Sequence, residues 1–401
     1  MAKELSQKAL NVSESTTLAI SAKAKALKAA GKHVINLSVG EPDFDTPSHI
    51  KAAATKAVEA GFTKYTESSG TLSLREAVCE KLKKDNGLEY SPAQIVVSNG
   101  AKHSLANIFA AILNPGDEVI IPAPYWLSYP EMIKLAGGEC RFVHAGAADR
   151  YKVTPALLAS VLSDKTKAIV LNSPSNPTGM VYSKAALEAV AKFAVEHDLY
   201  VISDEIYETL IYDGNKHVSI ASFGKEIYDR TIVVNGFSKA FAMTGWRIGY
   251  TASSLQLAKV MGNIQSHQTS NPCSIAQKAA EEALRGSQDC IAEMRDEFNK
   301  RREYMYEKLS KVPGMNLLKP QGAFYLFIDV SMLVGKQYNG TAIGNANDLA
   351  MLLLEEDNVA TVPCADFGFP NHIRISYSTD MADIKTGIER IEKFVQKINV
   401  H

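Results

Sequence analysis

Residues 167–204 read "KAIVLNSPSNPTGMVYSKAALEAVAKFAVEHDLYVISD". Two apolar, β-branched runs, "KAIVLN" and "LYVISD", flank "KAALEAVAKFAVEH", whose apolar residues recur at helical spacing. Strands this continuously apolar, separated by helices, indicate a mostly parallel sheet covered on both faces. The same alternation runs from Gln94 to Tyr250. It adds the strands "QIVVS", "DEVIIP", "CRFVHA", "TIVVNG" and "WRIGY", and the helices "HSLANIFAAIL" and "TPALLASVL".

Outward from this block the pattern changes. Upstream, Thr17 to Ala30 is helix-like, and "GKHVINLSVGEPDFDTP" (31–47) reads as a short strand entering a turn-rich loop. Downstream, "IAQKAAEEALRGSQDCIAEMRDEFNKRREYMYEKL" is helical with a break at Gly286. It leads to strands ("GAFYLFIDV", "HIRISYS") and helices ("ANDLAMLLLEE", "MADIKTGIERIEKFVQKI"). The expected organisation is a large α/β domain over residues 46–290. A smaller α+β domain is expected from residues 1–45 and 291–401. No internal repeat or low-complexity tract stands out.

Bulk composition removes several classes of function. The 401 residues can bury a substantial core. A hydrophobic share of 46% and a charged share of 22% are those of an ordinary globular chain. The net charge of −1 supplies no basic field for nucleic acid or anionic lipid. Five scattered cysteines with no CxxC pair argue against a disulfide framework or a zinc site and fit a reducing compartment. The start "MAKELSQKAL" has no signal-peptide character, and no apolar run approaches the length of a membrane span. The expectation is a cytoplasmic protein that binds neither nucleic acid nor membrane.

In open α/β sheets ligands bind outside the carboxyl ends of the strands, so the polar residues there carry the functional reading. Asp204 ends one strand; Tyr207 faces the same way if Glu205 opens a helical turn. Asn176 is presented by the proline-rich turn after "KAIVLN". "QIVVSNGAKHSL" runs through Gly100 into a helix N-terminus, a ready anion site. Trp126 stands at the mouth of another strand. Lys239 and Arg247 follow "TIVVNG". Each alone has an ordinary structural explanation: an N-cap, a turn residue, core packing, a solvated lysine.

Together they match the needs of one cofactor, pyridoxal 5′-phosphate (PLP). Trp126 can stack on a flat ring, and Asp204 can keep the ring nitrogen protonated. Tyr207 and Asn176 can donate to the 3′-oxygen. The Gly100–Lys102 turn, Ser238 and Arg247 suit a phosphate dianion. The aldehyde needs a lysine amine of lowered pKa, and Lys239, among small and apolar residues, is that lysine.

The chain also resembles the class I aminotransferases of the fold-type-I PLP family, most closely the bacterial aspartate aminotransferase subgroup. "GEPDFDTP", "TKYTESSG", "PYWLSYPE", "NSPSNPTG", "SDEIYE", "SKAFAMTGWRIGY", "GAFY" and "RISYS" carry the resemblance in the family's order. The resemblance implies that Lys239 bonds covalently to PLP and acts as general base, and that Asp204 pairs with the ring nitrogen. Asn176 and Tyr207 bind the 3′-oxygen, and Trp126 stacks on the ring. Ala101, Lys102 (through its backbone), Ser238 and Arg247 hold the phosphate. It implies a homodimer in which Tyr65 reaches the partner subunit's phosphate site.

Arg374 in "HIRISYS" matches the arginine that binds the α-carboxylate; Asn176, Trp126 and a close-approaching Gly40 serve the same substrate. One branch of the family reads the distal carboxylate with an arginine just before "SNP", where this chain has Ser266. The resembled subgroup instead uses a lysine, matched by Lys102, with hydroxyls matched by Ser15 and Thr17. Lysine is a point charge rather than a fork, so aromatic or prephenate substrates are alternatives to aspartate. A PLP-dependent lyase would share the same ring contacts. A non-catalytic PLP-binding regulator would carry a basic DNA-binding segment, which this neutral chain lacks. The departure from the family is Cys364 in "TVPCADFGF", where glycine is usual. A positive φ there would strain the cysteine by about 1 kcal/mol.

Overall fold

The computed structural model describes residues 4–14 and 16–399. Its main sheet has seven strands: β1 (Ile95–Ser98), β2 (Glu118–Ala123), β3 (Glu139–His144), β4 (Thr166–Asn172), β5 (Tyr200–Asp204), β6 (Thr231–Gly236) and β7 (Gly249–Ala252). They lie in the order β1-β7-β6-β5-β4-β2-β3. β7 pairs antiparallel with both its neighbours, and every other pair is parallel.

The stretch 167–204 supplies β4 and β5, which lie side by side with Asn172 opposite Asp204. Between them runs the helix Lys184–Glu196, whose first turn is capped by Ser183 accepting from the Ala186 N–H. The strands are apolar throughout because both faces are covered. Ile169, Leu171 and Val201 pack against Leu187, Val190 and Ala194 of that helix. The alternate residues Val170 and Ile202 pack on the opposite face against Ile108 and Phe109. Truncating one of these, as in Ile202→Ala, costs about 2–5 kcal/mol through lost burial and the cavity left behind.

A second sheet is antiparallel: β8 (Asn316–Leu317), β9 (Tyr325–Asp329), β10 (Val362–Pro363) and β11 (His372–Ser376), in the order β10-β11-β9-β8. Its register sets Arg374 opposite Phe327. The chain's beginning joins this region. The short strand Ile35–Asn36 pairs with Val359–Ala360. Helix α1 (Thr16–Ala29) packs Ile20 and Ala24 on Val34, Leu354 and Ala360.

Two element boundaries differ from the sequence expectation. "WRIGY" becomes strand only at Gly249, because Arg247 has φ 55°, outside the extended region. "TPALLASVL" is helical only over Pro155–Ala159. Cys364 does not meet the condition for strain: its φ is −110°. The left-handed conformation of this loop falls on Gly368 (φ 86°), where a Cβ would lie 3.0 Å from Ala123 Cβ. Cys364 is buried with Sγ 3.4 Å from the Val362 carbonyl, and burial pushes its thiol pKa up. Among the described residues no helix is long and apolar enough to cross a membrane.

Candidate active site

The carboxyl ends of β4 and β5 and the segment after β6 open into a cavity of about 600 Å³, lined also by Tyr325 and Arg374 of the second sheet. That volume suits a small molecule. Asp204 ends β5, and the turn after it brings Tyr207 to the same cavity. The Asp204 carboxylate accepts from Tyr129 Oη at 2.6 Å and from the Ile206 N–H at 3.3 Å. Burial raises its pKa to about 6; Tyr129, Ile206 and Lys239 oppose the rise, and Glu205 adds to it. A cation placed against such a carboxyl returns it to the ionised form.

Lys239 Nζ donates to the Gly40 carbonyl at 2.6 Å. Burial lowers its pKa to about 8. The Arg374 and Arg247 cations push the same way, against Glu41 and Asp204. The result is an amine with a substantial neutral minority at physiological pH, the form that a nucleophile or general base uses.

The anion cradle is built by close approach. Gly100, with φ 84°, opens helix α2 (Ala101–Ile112). Arg247, its own backbone left-handed, donates to the Thr244 carbonyl at 2.8 Å. A Cβ on Gly100 would meet Arg247 Nη2 at 2.5 Å, and a Cβ on Gly249 would come within 2.7 Å of the Gly100 carbonyl carbon. Both positions must lack a side chain for the helix terminus and guanidinium to converge. Ala101 and Ser238 line the same cavity.

Arg374 is buried, with Nη1 donating to Asn176 Oδ1 at 3.0 Å and Nη2 to the Ser38 carbonyl at 3.0 Å. Its Nε is buried with no partner among the described residues. An unpaired buried guanidinium N–H costs about 1–3 kcal/mol. Asn176 is itself fixed by its N–H on Asn172 Oδ1 at 2.7 Å, and its Oδ1 is taken by Arg374, so its Nδ2 remains the donor for a ligand. Tyr207 Oη lies 2.9 Å from Tyr325 Oη, and the Arg374 guanidinium sits 4.4 Å from the Tyr325 ring centre.

Lys102 Nζ lies 4.9 Å from the Trp126 ring centre, and burial, helped by Arg247, lowers its pKa. Thr17 lines the cavity with a buried hydroxyl that has no partner among the described residues. Gly40 lines it too, and a Cβ there would touch Tyr325 Oη at 3.4 Å. Ser15 lies outside the described residues. Tyr65, 90% exposed, and Ser266, whose hydroxyl turns back onto the Asn263 carbonyl, are not among the residues lining the cavity. Sequence reading did not single out Tyr129, Asn172, Tyr325 or Gly249. Tyr129 and Tyr325 do sit inside the quoted motifs "PYWLSYPE" and "GAFY".

These residues fit PLP. A glycine-bounded helix N-terminus with Arg247 suits the phosphate, Asp204 the ring nitrogen, Tyr207 and Asn176 the 3′-oxygen, Trp126 the ring face and Lys239 the aldehyde. Fold and site define a PLP-dependent enzyme of fold type I. The chain belongs to the class I and II aminotransferases, whose family model matches residues 32–391. It is 50% identical over 392 residues to an aspartate aminotransferase of Bacillus sp. (strain YM-2), covering 98% of this chain and 99% of that one. It is 47% identical over 392 residues to an aspartate/prephenate aminotransferase of Cereibacter sphaeroides, covering 97% and 98%. A crystal structure of the Rhizobium meliloti aspartate aminotransferase matches with a TM-score of 0.96 at 39% identity, over 99% of this chain and all of that one.

Proposed function

We propose that this aminotransferase moves the amino group of L-aspartate to 2-oxoglutarate in a ping-pong exchange, the first 2-oxo acid leaving before the second enters. The observation that carries the proposal is the pair of cations lining one cavity: Arg374, held by Asn176 and the Ser38 carbonyl, and Lys102. They suit a substrate with two carboxylates.

Bound PLP supplies an aldehyde for the amine and a protonated ring that draws electrons from the substrate Cα. The chain does the rest. Arg374 grips the α-carboxylate, with Asn176 Nδ2 and Trp126 beside it. Lys102 and Thr17, with Ser15, meet the distal carboxylate. The neutral form of Lys239 Nζ takes the proton from the substrate Cα; with PLP bound it would hand that proton to the former aldehyde carbon, and the reverse half would run the same transfer backwards onto the second 2-oxo acid. Asp204 keeps the ring nitrogen protonated, held to that task by Tyr129.

A homodimer is part of the reading. Arg247 borders an open groove of about 790 Å³, lined also by Thr46, Trp246 and Cys273, where the partner subunit's Tyr65 would enter. So are the two-domain division at residues 46–290 and a cytoplasmic location. The division draws support from the separate sheets.

The test is a half-reaction. PLP-loaded protein mixed with L-aspartate and no 2-oxo acid is expected to release up to one oxaloacetate per chain. Release from aromatic amino acids or alanine but not aspartate would overturn the substrate assignment. The aspartate/prephenate relative and the point-charge character of Lys102 favour a second reading, in which prephenate also accepts the amino group. Its test is transfer to prephenate from the aspartate-reduced enzyme.

A further inference from the structure

The turn that delivers Asp204 and Tyr207 has a second face, and buried charges crowd it. Glu205 Oε1 accepts from Ser203 Oγ at 2.9 Å and Ser219 Oγ at 2.6 Å; its Oε2 accepts from His217 Nε2 at 2.9 Å. Glu208 accepts from Asn235 Nδ2 at 2.7 Å and Asn86 Nδ2 at 2.9 Å, and pairs with Lys81. His217 Nε2 also stands 3.8 Å from the Glu208 carboxylate. Glu205, Glu208 and His217 are close enough to share a metal ion. Yet every carboxylate oxygen already has a protein donor, and Lys81 holds the place of a cation, so the set does not serve as a metal site.

Its charge count has a consequence. Two buried carboxylates face one ammonium, which leaves one negative charge uncompensated unless the imidazole is protonated. His217 Nδ1 has no partner among the described residues. A neutral ring would keep its bond to Glu205 but leave the cluster one negative charge in excess, and an uncompensated buried charge costs more than one unpaired imidazole N–H, which favours the imidazolium. Among the described residues, the other titratable groups near this cluster are Asp204, which feels Glu205, Asp85 beside Lys81, and the phenols of Tyr90, which feels Glu205, and Tyr250, which feels both glutamates. None of these is a cation. Consistently, Glu205 and Glu208 raise the His217 pKa against the opposing effect of burial. Burial alone would raise the Glu208 carboxyl, but Lys81 and His217 hold it down at about 2.

We propose that His217 is a positioning residue: clamped as an imidazolium between Glu205 and Glu208, it locks the back of the turn that aims Asp204 and Tyr207 at the cofactor, and it neutralises the charge behind Asp204. This rests on the role given to Asp204 above. The variant to make is His217→Gln, compared with wild type as the PLP-loaded protein. Removing the imidazolium uncovers a negative charge near the cofactor. The expected result is at least tenfold weaker retention of PLP, with the pH midpoint of its visible absorption band moved up by about half a unit. Adding Glu205→Gln restores neutrality and is expected to bring the midpoint back. A purely packing role would not respond that way, because the double variant loses more contacts.

A His217→Gln protein with a lower Tm but wild-type PLP retention and midpoint overturns the proposal, as does a double variant displaced further still. Should His217→Gln not fold, nitrogen NMR of the wild-type protein decides. A His217 ring protonated on both nitrogens at about pH 7.5 supports the clamp; a neutral ring overturns it. Asp204→Asn, measured alongside, separates the two claims. If PLP retention is unchanged there as well, the Asp204 assignment itself fails; if only Asp204→Asn weakens retention, His217 alone loses its role.

Discussion

Lys239 owes its chemistry to its surroundings. Among the described residues no side-chain base bonds to it; burial and two nearby guanidinium groups, against Glu41 and Asp204, bring its pKa to about 8. The fraction of neutral amine therefore rises about tenfold per pH unit up to that value and then levels off. Capture of PLP by the cofactor-free protein should follow the same curve in stopped-flow absorbance between about pH 6 and 10. A rate still climbing steeply above about pH 9 would contradict it. Arg374 makes a second prediction at this scale. Arg374→Lys keeps the charge but loses the fork and the unpartnered Nε, so kcat/KM for aspartate is expected to fall about 10- to 100-fold. It should fall equally for monocarboxylic amino acids, since all share the α-carboxylate. A loss confined to dicarboxylates would mean that Arg374 reads the side chain instead.

At the scale of elements, the proposed phosphate site is a contact between a strand and a helix terminus. β7 presents Gly249 directly under the start of α2, with no room for a methyl group. Gly249→Ala is expected to push the helix N-terminus away and weaken PLP binding about tenfold or more, because backbone N–H donors and the helix dipole act only at short range. Pyridoxal, which lacks the phosphate, should bind the variant as it binds wild type. Equal losses for both, measured by absorbance titration, would place the damage elsewhere. The turn after β5 works by a similar logic, with opposite faces given to opposite tasks. Asp204 and Tyr207 line the cavity, while Glu205 and Glu208 bond to groups outside it.

For the whole molecule, the single chain leaves Arg247, proposed to hold the phosphate, beside an open groove and leaves Tyr65 exposed. A second copy that covers the groove and lends its Tyr65 would explain both. Tyr65→Phe is then expected to loosen PLP retention about tenfold, the worth of one hydrogen bond to a charged group. The mass seen by analytical ultracentrifugation should not change. A dimeric variant that holds PLP as tightly as wild type would remove Tyr65 from the site.

The sequence by itself determined the alternation of strands and helices, the apolar character of β4 and β5, and the polar residues that end the strands. Those features follow from spacing between near neighbours along the chain, where periods of two and of about 3.6 residues declare which face is buried. Lys239 and Asp204 were legible as candidates only together, because the strand-end residues jointly match one cofactor's needs, and Arg374 through the motif that carries the family resemblance. Tertiary structure alone decided what each of them feels. Tyr129 reaches Asp204 from 75 positions away, and Asn176 meets Arg374 across 198. Such partners leave no local pattern. Cys364 shows the same limit from the other side. Its residue type raised the prospect of strain, and the backbone put the left-handed turn on Gly368 instead. Desolvation, hydrogen-bond partners and backbone angles are set by what the fold brings from afar, which is why the chemistry of this site could be named from its sequence but its geometry could not.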